Sequence, residues 1–137
     1  MSRRYFSVAE ANRTLPLVRR IVTDIVREYA EWKELVARYE ILAADTGARE
    51  PPERVEVRHR IERHAEHIAG FMDELSSVGC LFKGFDEGLV DFYSRRDDRD
   101  ILLCWKLGEA SVGYWHEIEA GFAGRQVLAP QMAGGGD

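Results

Sequence analysis

The chain has 137 residues, which fits one domain able to bury about two thirds of the surface its unfolded form exposes. Hydrophobic residues make up 45% and charged residues 31%, the balance of a soluble globular protein, and the net charge of −5, with basic residues spread among acids, argues against nucleic acid as a partner. No apolar run has the length of a membrane span or the character of a signal-peptide core, so the expected location is cytoplasmic with no membrane contact.

Ser7 and Glu10 make a capping-box pair that predicts a short first helix. Thr14 then predicts a second N-cap, with Pro16 in the first turn, where a missing N–H costs nothing. From there Leu15, Val18, Val22, Ile25, Tyr29, Trp32, Val36 and Tyr39 alternate three- and four-residue spacings, a heptad seam of the coiled-coil kind. Ile21, Leu35 and Leu42 widen the stripe. A helix over Leu15–Ala43 is about 43 Å long, longer than a small sheet is wide, and so needs a partner helix. Ala44–Glu53 reads as the connection, with Gly47 as C-cap and Pro51-Pro52 opening the second helix. Val57, Ile61, His64, Ile68, Phe71, Leu75 and Val78 give that helix its own seam, and Gly79 ends it. The pair predicts an antiparallel helical hairpin over about 7–79.

After Gly79 the period changes. Leu81-Phe82-Lys83 is a short extended piece, and Asp86-Glu87-Gly88 a turn. Leu89–Tyr93, Ile101–Leu107 and Val112–Ile118 read as strands by their β-branched and aromatic content. Asp97-Asp98 centres the first hairpin, and Gly108-Glu109 lies near the centre of the second. The fold class is therefore α+β: a long helical hairpin packed on a three-stranded antiparallel meander over about 80–128, one domain over 1–128. A disordered tail is expected over 129–137.

Register arithmetic sets Asp91 opposite Cys104, Cys104 opposite His116, and Trp105 opposite Trp115. One face then carries Val90, Phe92, Ile101, Leu103, Trp105, Leu107 and Trp115 and should pack on the helices. The other carries Leu89, Asp91, Tyr93, Leu102, Cys104, Lys106, Tyr114, His116 and Ile118, a mixed set. A slip of one residue would part Cys104 from His116.

The chemistry available is limited. Cys80 and Cys104 form no CxxC pattern and no disulfide framework. Asp91, Cys104 and His116 could ligate Zn²⁺ or Fe²⁺ with one position open, or pair thiol with imidazole as a nucleophile. The plainer reading makes Cys104 a small hydrophobe, His116 a locally bonded ring and Asp91 an ion-pair partner. Asp91, Lys106, Tyr114, Glu109 and Arg125 are the candidate ligand-binding set. Arg125 either clamps an anion from the Gly121–Arg125 turn or pairs with an acid such as Glu109. His59, His64 and His67 on the second helix, with Glu28, Glu31 and Glu34 on the first, invite a di-iron reading in a dimeric bundle. Only His64 falls on the aromatic seam, which favours a hydrogen-bonded histidine.

Two stretches, YFSVAEANRTLPLVRRIV and GLVDFYSRRDDRDILLCWKLGEASVGYWHEIEAGFAGR, resemble a prokaryotic family catalogued as domain of unknown function 2203, over Tyr5 to Arg125. In that family the tight turn is often Asp-Gly; here it is Asp97-Asp98. The resemblance implies a small soluble prokaryotic protein and carries no activity with it. The reading favoured is a non-enzymatic, homodimeric binding or scaffold module for a protein partner or small anionic ligand. The alternative is a metal-binding protein or metalloenzyme using the Cys/His/carboxylate set.

Overall fold

The computed structural model describes residues 3–44 and 50–128. Two helices, α1 (Val8–Ala44) and α2 (Pro52–Val78), precede an antiparallel sheet of β1 (Leu81–Gly84), β2 (Leu89–Arg96), β3 (Arg99–Lys106), β4 (Tyr114–Glu117) and β5 (Gln126–Val127). The strands lie in chain order. The α+β class stands, but the sheet has five strands among the described residues, not the three expected. The additions are the outermost strands, four and two residues long, too short to display an alternating pattern. The expected C-cap Gly47 and the tail over 129–137 lie outside the described residues.

Ser7 and Glu10 cap α1 reciprocally: Glu10 N–H donates to Ser7 Oγ at 3.1 Å, and Ser7 N–H to Glu10 Oε1 at 2.9 Å. The second N-cap expected at Thr14 is absent; α1 runs unbroken through Pro16. Thr14 Oγ1 donates back to the Ala11 carbonyl at 2.8 Å rather than forward. Val8, Ala11, Leu15 and Val18 are all buried on one stripe, and that burial outweighs the amide lost at proline. Pro51 and Pro52 open α2, and Gly79 closes it at φ 106°, its N–H donating to the Leu75 and Ser76 carbonyls.

The heptad seam divides in two. Leu15, Val18, Val22 and Ile25 are buried, whereas Tyr29, Trp32, Val36 and Tyr39 are only half-buried. The first half of α1 packs with Val90, Phe92, Ile101, Leu103, Trp105 and Trp115, the apolar sheet face expected from alternation. The second half has α2 for company and bares more of its surface. Neither helix is long and apolar enough to cross a membrane.

Two long-range ties fix α1 and the segment before it to the sheet. Asn12, on α1, accepts from Val112 N–H at 2.8 Å through its side-chain oxygen and so holds the β3–β4 loop. Phe6 N–H donates to the Tyr93 carbonyl at 2.7 Å, and Ser94 Oγ donates to the Phe6 carbonyl at 2.6 Å. The N-terminal segment thereby follows β2 past the point where β1 stops pairing with it.

Candidate functional site

Asp91, Cys104 and His116 come from three successive strands, β2, β3 and β4. The β2–β3 hairpin has the expected register, with Asp91 opposite Cys104. Its two turn residues, Asp97 and Asp98, adopt φ 51° and 62°, the left-handed pair of a type I′ turn. The β3–β4 register differs from expectation: Cys104 faces Tyr114, His116 faces Leu102, and Trp115 faces Leu103. The shift is two residues, so every side chain keeps its face. His116 therefore stands diagonal to Cys104 and reaches Asp91 across the strand between them.

The three residues are 4%, 2% and 2% exposed. Their ligand atoms all lie within 4.8 Å of one another. They floor a pocket of about 220 Å³ whose walls include Lys83, Leu89, Leu102, Ile118 and Phe122. The turn containing Gly121 and Phe122 folds back over this face of the sheet, which explains how a strip without helical cover is buried. Lys83 reaches the pocket from a β-bulge: pairing shifts between Phe82 and Gly84, so Lys83 and Gly84 together stand opposite Leu89.

His116 Nδ1 lies 2.8 Å from the Glu117 carbonyl, and Nε2 lies 3.3 Å from Asp91 Oδ1. A carbonyl only accepts, so Nδ1 carries a hydrogen. A neutral ring then turns a lone pair toward Asp91. Lone pair and carboxylate repel unless a proton or a cation stands between them. Burial pushes the Asp91 carboxyl above its usual range, with His116 and Lys83 partly opposing that rise. Burial, together with the charge of Asp91, pushes the Cys104 thiol up to about 12. At neutral pH the metal-free thiol is therefore protonated and a poor nucleophile. Cys80, buried in the apolar core, is likewise pushed up to about 12 by burial.

The remaining members of the expected ligand set sit beside the pocket. Arg125 stacks on Tyr114 with its guanidinium carbon 3.7 Å from the ring centroid, and pairs with Glu109 at 2.9 Å. Glu109 also accepts the Lys106 backbone N–H at 2.8 Å. Arg125 thus makes the internal pair expected with Glu109, while its buried Nε has no hydrogen-bond partner among the described residues. Lys106 Nζ approaches Phe122 at 5.8 Å. Of that set, Asp91 alone lines the pocket, and Lys83, which also lines it, entered no expected site. Alternation already put Leu89, Leu102 and Ile118 on this face, and Phe122 belongs to the Gly121–Arg125 turn; the bulge at Lys83 had no local signal.

On the helical hairpin, Glu28, His64 and His67 also meet. Glu31 approaches the far side of His64.

A family model described as "Uncharacterized conserved protein (DUF2203)" matches residues 4–128. Searches of curated proteins and of solved structures each found no match.

Proposed function

We propose, from the site alone because the chain belongs to an uncharacterised conserved family, DUF2203, that this protein is a metal-dependent binding module for a small anionic ligand. In this reading Asp91, Cys104 and His116 hold a Zn²⁺ or Fe²⁺ ion, leaving a coordination position open toward the pocket.

The observation that carries the reading is that three buried donor atoms lie within 4.8 Å of one another at the pocket floor. Donors at 2.0–2.1 Å from a tetrahedral ion lie roughly 3.3 Å apart. The His116 Nε2 to Asp91 Oδ1 separation is 3.3 Å. His116 already donates its other ring hydrogen to a carbonyl, the outer-shell contact that fixes a ligating tautomer. The ion would take the place of the positive charge that Nε2 and Oδ1 need between them. It would also displace the Cys104 thiol proton, so uptake should strengthen as pH rises. Lys83 supplies the charge for an anionic head group, and Leu89, Ile118 and Phe122 line room for an apolar body.

Native mass spectrometry of protein purified without chelator or metal resin tests this. One metal ion per chain on the wild type that His116→Ala lacks supports the reading. Metal-free protein that takes up neither zinc nor iron ends it.

A homodimeric scaffold is the second reading. An apolar hollow of about 280 Å³ lined by Tyr29, Trp32, Ala65, Ile68 and Phe85 supports it, because such surface on the open half of a hairpin suits a second copy. Sedimentation of the wild type and Trp32→Glu tests it: a dimer that the glutamate dissociates supports it, and a wild-type monomer ends it.

A further inference from the structure

We propose that Glu28, His64 and His67 form a second divalent-metal site, one that clasps α1 to α2 independently of the sheet. His64 and His67 stand three residues apart on one side of α2, and Glu28 faces them from α1. Both rings turn Nδ1 toward a single atom, Glu28 Oε1, at 2.6 and 3.1 Å. Two imidazoles and one carboxylate are a zinc-binding donor set.

A second acid lies behind His64. The ring's Nε2 lies 3.6 Å from Glu31 Oε2. A neutral ring has one hydrogen and cannot donate to both acids. With an ion at Nδ1, the hydrogen sits on Nε2, on the Glu31 side, and a small closing of that gap would complete the carboxylate–histidine–metal arrangement. Without an ion, the rings donate to Glu28. Glu28 is mostly shielded, with its side chain 13% exposed, whereas His67 is 57% exposed and gives an ion a way in. Seating the ion requires Glu28 Oε1 to withdraw from His64 by roughly 0.7 Å to reach a tetrahedral edge, a movement its own side-chain torsions can supply. The donors are nitrogen and oxygen only. A borderline ion such as Zn²⁺, Co²⁺ or Ni²⁺ fits, and no thiolate takes part.

The test is a cobalt titration of the full chain, read by absorption and by metal per chain. His116→Ala removes the sheet site. That variant should still take up one Co²⁺ per chain, with ligand-field bands and no thiolate charge-transfer band. Adding His67→Ala should abolish this uptake. Glu31→Gln in the same background should weaken it by about 10- to 100-fold. His67 is exposed enough that its truncation leaves the fold intact, which a thermal melt of the variant checks. The proposal is overturned if His116→Ala protein binds no cobalt, or binds it equally with and without His67. If only the sheet-site reading fails, the wild type shows no thiolate band yet still loses its cobalt on His67→Ala.

Discussion

His116 stands between two acceptors, the Glu117 carbonyl 2.8 Å from Nδ1 and Asp91 Oδ1 3.3 Å from Nε2. The first contact fixes one hydrogen on the ring. The second asks for a proton or a cation in the gap, between residues that are 2–4% exposed.

Asp91→Asn should separate stability from metal binding. Burial raises the folded-state pKa of Asp91, so the stability linked to its protonation is full below the ordinary aspartate pKa and is lost as pH rises through the folded value. Metal-free wild type at neutral pH therefore carries the cost of a buried carboxylate. An asparagine amide can donate to Nε2 without that charge. We expect metal-free Asp91→Asn to be more stable than wild type by about 1 kcal/mol at neutral pH, with the gap closing below about pH 4. The same variant should retain no metal at the sheet site. Urea titrations across pH check the first part; a variant that is less stable at neutral pH would show that the carboxylate is a net structural asset.

The two cysteines should behave alike in one assay and differently in another. Both thiols are pushed up to about 12, so neither should label at neutral pH within the time that denatured protein is fully modified. Cys104→Ser should abolish metal retention at the sheet, and Cys80→Ser should leave it unchanged. Fast, selective labelling of native Cys104 would contradict the environment described for it.

Gly88→Ala should be among the most damaging single changes. Gly88 has φ 73°, and an added Cβ would meet Val22 Cγ1 at 2.8 Å and Leu107 Cβ at 2.9 Å. Left-handed strain costs roughly 1–2 kcal/mol and overpacking roughly 1–3 kcal/mol, so a loss of about 3 kcal/mol is expected by urea unfolding. A loss under about 1 kcal/mol would mean that α1 and the β3 end yield readily.

Asp98→Gly should act in the opposite direction. Asp98 sits exposed at φ 62° in the β2–β3 turn, where glycine has no Cβ to strain. A gain of up to about 1 kcal/mol is expected, read as a higher thermal midpoint with metal uptake unaltered.

The sheet site was legible because its pattern is local and has period two. Asp91 and Cys104 follow from the Asp97-Asp98 turn, whose chemistry selects one register. His116 was assigned to the right face through the wrong partner. Pairing Cys104 with His116 implies a hairpin centred on Ala110, whereas the observed pairs centre on Glu109. That loop is shaped by Gly108 at φ 105°, by Trp105 Nε1 donating to the Glu109 carbonyl at 2.9 Å, and by Asn12 holding Val112. The last of these partners lies 100 residues away, beyond the reach of any local rule. The error was even-numbered, and a period-two element forgives even errors. The continuous α1 failed differently. Thr14 and Pro16 do carry a helix-start signal, and only the tertiary burial of Val8 and Ala11 overrides it. The Glu28–His64–His67 meeting needed the relative register of two helices, which neither seam alone specifies.

The sheet is a pure meander, each strand bonded to its neighbour in the chain. Its pairings close short loops and can assemble one hairpin after another at small entropic cost. The N-terminal segment is the exception, because Phe6 meets Tyr93 and Ser94 only after the whole hairpin has been laid down between them. That strap should engage late in folding, so weakening it should hasten unfolding while leaving the rate of collapse almost untouched.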